Sequence, residues 1–213
     1  MEFDPALLTA GQRYNLLAGA ILPRPIALVS TVDGAGRTNL APFSFFNGIS
    51  AAPMALAFSP VTRSDGTDKD TLRNVLPPEE GGLGEFVVNL VDVSLARQMS
   101  AAAEVLPPDE SEFDLTGLTP APSRRIRPPR VLEAPVSYEC RTLQVVRLSP
   151  GEPMSGSLVI GEIVHVWVRD ALVGERYHID LDKLDAIGRL SGGEYCRTGD
   201  RFSLPRGRAA LEP

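Results

Sequence analysis

Hydrophobic positions along this chain gather in short runs rich in β-branched residues, not in long helical repeats. Residues 26–32 (IALVSTV) predict a strand. Asp33-Gly34-Ala35-Gly36 then supplies turn chemistry, because glycine reaches positive φ without steric cost. Residues 38–44 are expected to return as the second strand of that hairpin, and residues 54–59 to form a third strand stopped by Pro60. Residues 85–90, the alternating stretch 136–146 and the long run 157–169 predict three more. Thr67 and Asp70 have the spacing of a capping box, which predicts a short helix ending before Pro77-Pro78. The alanine-rich residues 94–104 predict a second helix, and residues 182–188 a third short one. Residues 107–129, dense in proline and charge, read as a surface excursion with little regular structure. The chain from Arg206 onward reads as a loose tail.

About six strands and two or three short helices define a mainly β protein. Strands do not alternate with long helices, so a doubly wound parallel sheet is excluded and a closed or split antiparallel barrel fits. The 213 residues suit one domain, 1–213, with a core over about 20–200 and a tail over 204–213. A net charge of −6 argues against nucleic acid or an anionic membrane as the main partner. Cys140 and Cys196 stand far apart, outside any C-x-x-C pattern, so neither a disulfide framework nor a metal site is expected. The first residues are acidic, unlike a signal peptide, and the apolar runs at 16–22 and 26–32 are too short to span a bilayer. A cytoplasmic location follows by default.

Two segments carry candidate chemistry. Residues 39–48 (NLAPFSFFNG) set serine and asparagine among aromatics at a strand end, which could wall a flat ring system and meet its polar edge. The same pattern also describes an ordinary aromatic strand end turning at Asn47-Gly48. Residues 63–74 (RSDGTDKDTLRN) combine cations and hydroxyls near a helix start, a natural phosphate site. They equally describe a solvated, capped helix.

Together these segments resemble the flavin reductase-like family. The resemblance rests on P-R-P-I-A-L-V-S-T at 23–31, N-x-A-P-F-S-F-F at 39–46 and K-D-T with Asn74 at 69–74. It continues through F-V-V-N-L at 86–90, G-E-I-V-H-V at 161–166 and R-L-S-G-G-E-Y at 189–195. Ser191 stands where glycine is commoner, and the excursion is longer than in the compact reductases of that family. The resemblance implies a split antiparallel, Greek-key type barrel that binds FMN, as a homodimer with FMN at the subunit cleft. It implies that Ser44, Phe45 and Asn47, with Asn39 and Pro42 of the same motif, line the isoalloxazine and ribityl chain, approached by Ser30 and Thr31. Arg63, Ser64, Lys69 and Thr71 would hold the phosphate. His165 would stand on the nicotinamide side of the flavin, or else be a hydrogen-bonded sheet histidine. Strand parity puts it on one face with Ile163 and Trp167. Tyr195 would close over the partner's flavin or pack on the barrel.

The implied activity is hydride transfer from NAD(P)H, a transient co-substrate, to FMN, with an oxygenase or other electron acceptor downstream. A flavin-binding electron carrier and a flavin-free binding barrel are the alternatives. No G-x-G-x-x-G fingerprint occurs, so a Rossmann nicotinamide site is not expected.

Overall fold

The computed structural model describes residues 1–107 and 110–211. The chain opens with helix α1 (Ala10–Ala20), started by a capping box in which Thr9 and Gln12 each bond the other's backbone N–H. Four strands follow: β1 (Ala27–Val32), β2 (Thr38–Phe43), β3 (Phe46–Ala51) and β4 (Met54–Phe58). Then come α2 (Asp70–Val75), β5 (Glu85–Leu90), α3 (Ala96–Ala101) and α4 (Glu112–Thr116). Two ribbon strands, β6 (Pro120–Ala121) and β7 (Arg130–Val131), lead into the long hairpin of β8 (Val136–Arg147) and β9 (Ser157–Val168). Helix α5 (Leu181–Leu184) and the ribbon of β10 (Ile187–Arg189) and β11 (Tyr195–Arg197) complete it.

Seven strands pair antiparallel in the order β2-β1-β5-β8-β9-β4-β3. The two outer strands, β2 and β3, are separated in sequence only by Ser44 and Phe45, so the sheet must curl until the ends of its outer strands come close. The result is a split antiparallel β-barrel, as the strand pattern predicted. All of β1 is buried, and its alternation feeds two cores. Ala27 and Val29 join Phe43, Phe58, Phe86 and Val88 inside the barrel. Ile26 and Leu28 join Leu40, Leu95, Met99, Phe113 and Val131 in a second cluster on the outer face.

Gly161 of β9 shows how tightly the interior is filled. A Cβ there would lie 2.4 Å from Phe86 Cζ and 3.3 Å from Cys140 Cβ, and Phe86 is fully buried. Gly161→Ala is therefore expected to destabilise by about 1–3 kcal/mol, the usual cost of overpacking. An unchanged midpoint in chemical denaturation would show that the Phe86 ring has room to move.

Several sequence expectations need correction. Thr67 caps no helix: its N–H and hydroxyl both bond the Asp65 carboxylate, and α2 begins after Lys69 with no side-chain cap. Asn47-Gly48 is not a turn but lies within β3. The 94–104 helix is shorter, a 3-10 turn capped by Asp92 followed by α3. The 182–188 helix ends at Leu184, and Ile187 begins β10 instead. The 107–129 excursion carries α4 and β6, places Phe113 and Leu118 in the outer core and buries Ala121.

The shared face of Ile163 and His165 is also corrected. Opposed residues across an antiparallel pair share a face. His165 pairs with Glu139, but Ile163 pairs with Cys140, so a bulge at Val164 turns Ile163 into the barrel while His165 and Trp167 face outward.

Candidate functional site

A groove runs along the free edge of β2. At one end, a cavity of about 120 Å³ is lined by Asn39, Pro42, Arg63, Lys69, Thr71 and Glu112, closed by the turn after α3. Beyond Pro42 and Ala103 it continues into a cavity of about 370 Å³ lined by Tyr14, Pro42, Phe43, Ser44, Met99 and Tyr195. One end of the groove thus carries charged side chains, Lys69 and Arg63 together with Asp70, Glu104 and Glu112, and the other is aromatic.

The charged end is held by a side-chain network beneath it. Asn39 Nδ2 donates to Thr71 Oγ1 at 2.9 Å and to Thr31 Oγ1 at 3.2 Å. Asn74 Nδ2 donates to Thr31 Oγ1 at 2.9 Å. Thr31 and Thr71 are buried, so this network ties α2 to β1 and β2. Arg63 bonds the Asp70 carboxylate at 2.7 Å, and Arg73 bonds the same carboxylate. Lys69 is half-buried over the Phe43 ring, 5.8 Å from its centroid, and forms no ion pair among the described residues. Burial first, and the nearby Arg63 charge second, hold its ammonium below the ordinary lysine range. Glu112 accepts the Leu40 N–H at 3.0 Å; burial raises its carboxyl above the usual range, with that bond opposing.

The aromatic end is positioned by Arg24, which is buried. Its guanidinium donates to the carbonyls of Ala18 and Ile21 at the end of α1 and to Leu190 O at 2.8 Å, and its Nε reaches Ser44 Oγ at 3.3 Å. Arg189 bonds the Tyr195 hydroxyl and stacks on its ring, 4.6 Å from the centroid. Tyr195 packs on its own chain's outer core.

The groove brings together Asn39, Pro42, Ser44, Arg63, Lys69, Thr71 and Tyr195, with Thr31 beneath. Other expected residues lie elsewhere. Ser30 is fully buried on the outer face, donating to Pro129 O at 2.5 Å and accepting from Asn89. Ser64 is exposed and lines neither cavity. Asn47 is exposed on β3. Phe45 packs against Tyr14, centroids 6.3 Å apart, on the side of an apolar hollow with Leu17 and Leu148 that adjoins the groove at Tyr14. His165 lines a different depression with Arg124, Arg125 and Trp167. Sequence reasoning did not single out Tyr14, Arg24, Met99 or Glu112; of these only Arg24 lay in a quoted motif.

Among the described residues no cluster of potential metal ligands occurs, and no helix is long and apolar enough to cross a membrane. Cys140 is buried, and burial pushes its thiol well above the ordinary range; Cys196 is also free.

The flavin reductase like domain matches residues 19–183. An uncharacterized protein of Halalkalibacterium halodurans is 40% identical over 208 residues, covering 97% of this chain and 96% of that protein. The crystal structure of nitrilotriacetate monooxygenase component B from Bacillus cereus superposes with a TM-score of 0.87 at 38% identity, covering 96% of this chain and 98% of that one. The crystal structure of 2-nitrobenzoate 2-nitroreductase from Pseudomonas fluorescens gives 0.84 at 33% identity, over 98% and 97% of the two chains. These matches span nearly the whole barrel and the groove along β2, and the chain belongs to the flavin reductase-like family of flavin-related oxidoreductases.

Proposed function

We propose that the chain binds FMN in the β2 groove and reduces it with hydride from NADH or NADPH. The phosphate would meet Lys69, Arg63 and Thr71, and the isoalloxazine would lie toward Phe43, Ser44 and Tyr195. One observation carries the cofactor assignment: Lys69, half-buried and without an acidic partner among the described residues, stands near Arg63, itself paired with Asp70, at the end of a groove whose other end is aromatic. Such a cation is unfavourable alone and fits a dianion. Helix α2 has only six residues, so the side chains, not its dipole, supply most of the attraction.

When bound, the flavin supplies the hydride-accepting chemistry. The protein's part is to orient the ring and shield it from water. His165 is left out of this reading, because its depression shares no residue with the groove. The exposed apolar side chains of Leu16, Leu17, Ile49, Met54, Leu148 and Leu158 favour a homodimer. Light scattering should then return twice the mass of one chain.

The deciding assay is oxidation of NADH and NADPH with added FMN. Catalytic turnover is expected; flavin binding without turnover would instead identify an electron carrier.

Lys69→Ala should weaken FMN by about 1–3 kcal/mol while leaving riboflavin unchanged. Equal losses for both flavins would move the phosphate elsewhere. The preference for FMN over riboflavin should also depend on pH. Lys69 has its pKa lowered in the free protein, and a bound dianion would raise it again. The charged form, and the preference with it, is therefore complete below that lowered pKa and shrinks as pH rises through it. A preference that is flat into the alkaline range would remove Lys69 from the site.

A further inference from the structure

On the outer face of the barrel, away from the groove, lies an open depression of about 560 Å³ lined by Arg124, Arg125, His165, Val166, Trp167 and Val168. We propose that it is a second binding site, which takes the phosphomonoester group of a phosphorylated ligand.

The chain carries a net −6, yet residues 123–130 (SRRIRPPR) hold four arginines and no acid. Arg127 is neutralised by Glu85 at 3.1 Å. Arg124, Arg125 and Arg130 form no ion pair among the described residues. Arg130 lies with its guanidinium carbon 4.3 Å from the centroid of the Trp167 ring, and Arg124 with its own at 5.6 Å. The Arg130 Nε is buried and has no acceptor among the described residues. His165 meets the edge of the same indole, centroids 5.5 Å apart.

The one carboxylate beneath this cluster is Glu139, fully buried on β8. Its oxygens are already committed. Oε1 accepts the Arg124 N–H and the Trp167 indole N–H, each at 2.8 Å, and Oε2 accepts the Arg125 N–H at 2.7 Å. Glu139 therefore fixes the loop and the indole without bonding to any guanidinium. Arg124 and Arg125 line the hollow and Arg130 stacks on its indole, above one committed carboxylate, an excess of positive charge that a dianion balances and a single carboxylate ligand would not. The Arg124 and Arg125 side chains are exposed, and with the His165 imidazole they offer donors from more than one direction to an anion with three free oxygens.

Arginine held in this way without an acidic partner is unfavourable at close range, since like charges repel. A loop pinned by a buried carboxylate so that its side chains converge on one hollow is a preorganised arrangement, and preorganisation lowers the cost of binding.

Trp167 is the only tryptophan in the chain, so tryptophan emission, excited beyond tyrosine absorption, comes from this hollow. Inorganic phosphate and adenosine 2′,5′-bisphosphate are titrated separately into the flavin-loaded protein, with calorimetry beside fluorescence. A saturable change is expected. In the Arg124→Ala/Arg125→Ala double variant, affinity should fall about tenfold or more, the scale of a lost charge-assisted hydrogen bond. Flavin affinity should not change, which shows that the variant folds and that the two sites are separate. Tighter binding of the bisphosphate than of phosphate assigns the source as a phosphorylated nucleotide; equal binding assigns free phosphate. The absence of saturable binding of either probe by both methods, or equal affinity in wild type and double variant, overturns the site.

Discussion

Glu139→Ala is expected to destabilise the protein by about 3–5 kcal/mol, the combined cost of leaving several buried donors without an acceptor. The carboxylate is fully buried and accepts three N–H donors, two from the 124–125 backbone and one from the Trp167 indole. Each donor stranded without an acceptor costs about 1–3 kcal/mol. Lifting of the loop into water would recover part of that, but it would uncover the outer core at Val131. Glu139→Gln should lie between, because the amide keeps one acceptor oxygen but turns an N–H toward another N–H. Guanidinium denaturation followed by tryptophan emission measures both effects. A Glu139→Ala variant within about 1 kcal/mol of wild type would show that the loop is not held through this carboxylate.

Arg24→Ala should produce a loss of similar size, from buried carbonyls left without a donor at about 1–3 kcal/mol each, and should reach the flavin groove as well. Arg24 is 3% exposed. Its donors satisfy two carbonyls at the C-terminal end of α1, where no intrahelical partner exists, and one on Leu190 beyond β10. Its backbone also pairs with Arg189 in both directions, at 3.0 and 2.8 Å. The side chain thus joins α1, the β10 region and, through Ser44, the edge of the groove. Its removal should lower the melting temperature and weaken flavin binding together. Arg24→Lys should recover only part of either, since an ammonium lacks the planar fork that serves several acceptors at once. A variant that melts and binds flavin like wild type would remove Arg24 from both roles.

What the sequence shows of this molecule follows from where burial imposes a pattern. Strands β1, β4, β5, β8 and β9 are legible because at least one face of each is packed, and β-branched or alternating residues mark them. β3 escapes because five of its six residues are exposed and carry no alternation. The capping-box spacing occurs both at Thr9 and at Thr67; at Thr67 the hydroxyl turns to Asp65, a competing local hydrogen bond that sequence alone does not rank. The outer core is hidden within a polar, proline-rich stretch because a few anchors, Phe113 and Leu118 among them, suffice to fix it. For the site, local segments such as Asn39–Ser44 and Lys69–Thr71 are visible as motifs. Tyr14, Met99 and Glu112 reach the groove only through tertiary packing, and the bulge at Val164 reverses a parity that simple alternation predicts.

The seam where the sheet closes leaves two strand edges unpaired, and such edges normally invite another chain to add a strand. Here both are blunted. β2 carries Pro42 in its interior, which offers no N–H to an incoming strand. β3 carries a bulge at Ile49, between Gly48 and Ser50, which breaks the spacing that a regular partner needs. The barrel can therefore remain open along β2, giving a ligand lateral entry, without that opening becoming a template for aggregation.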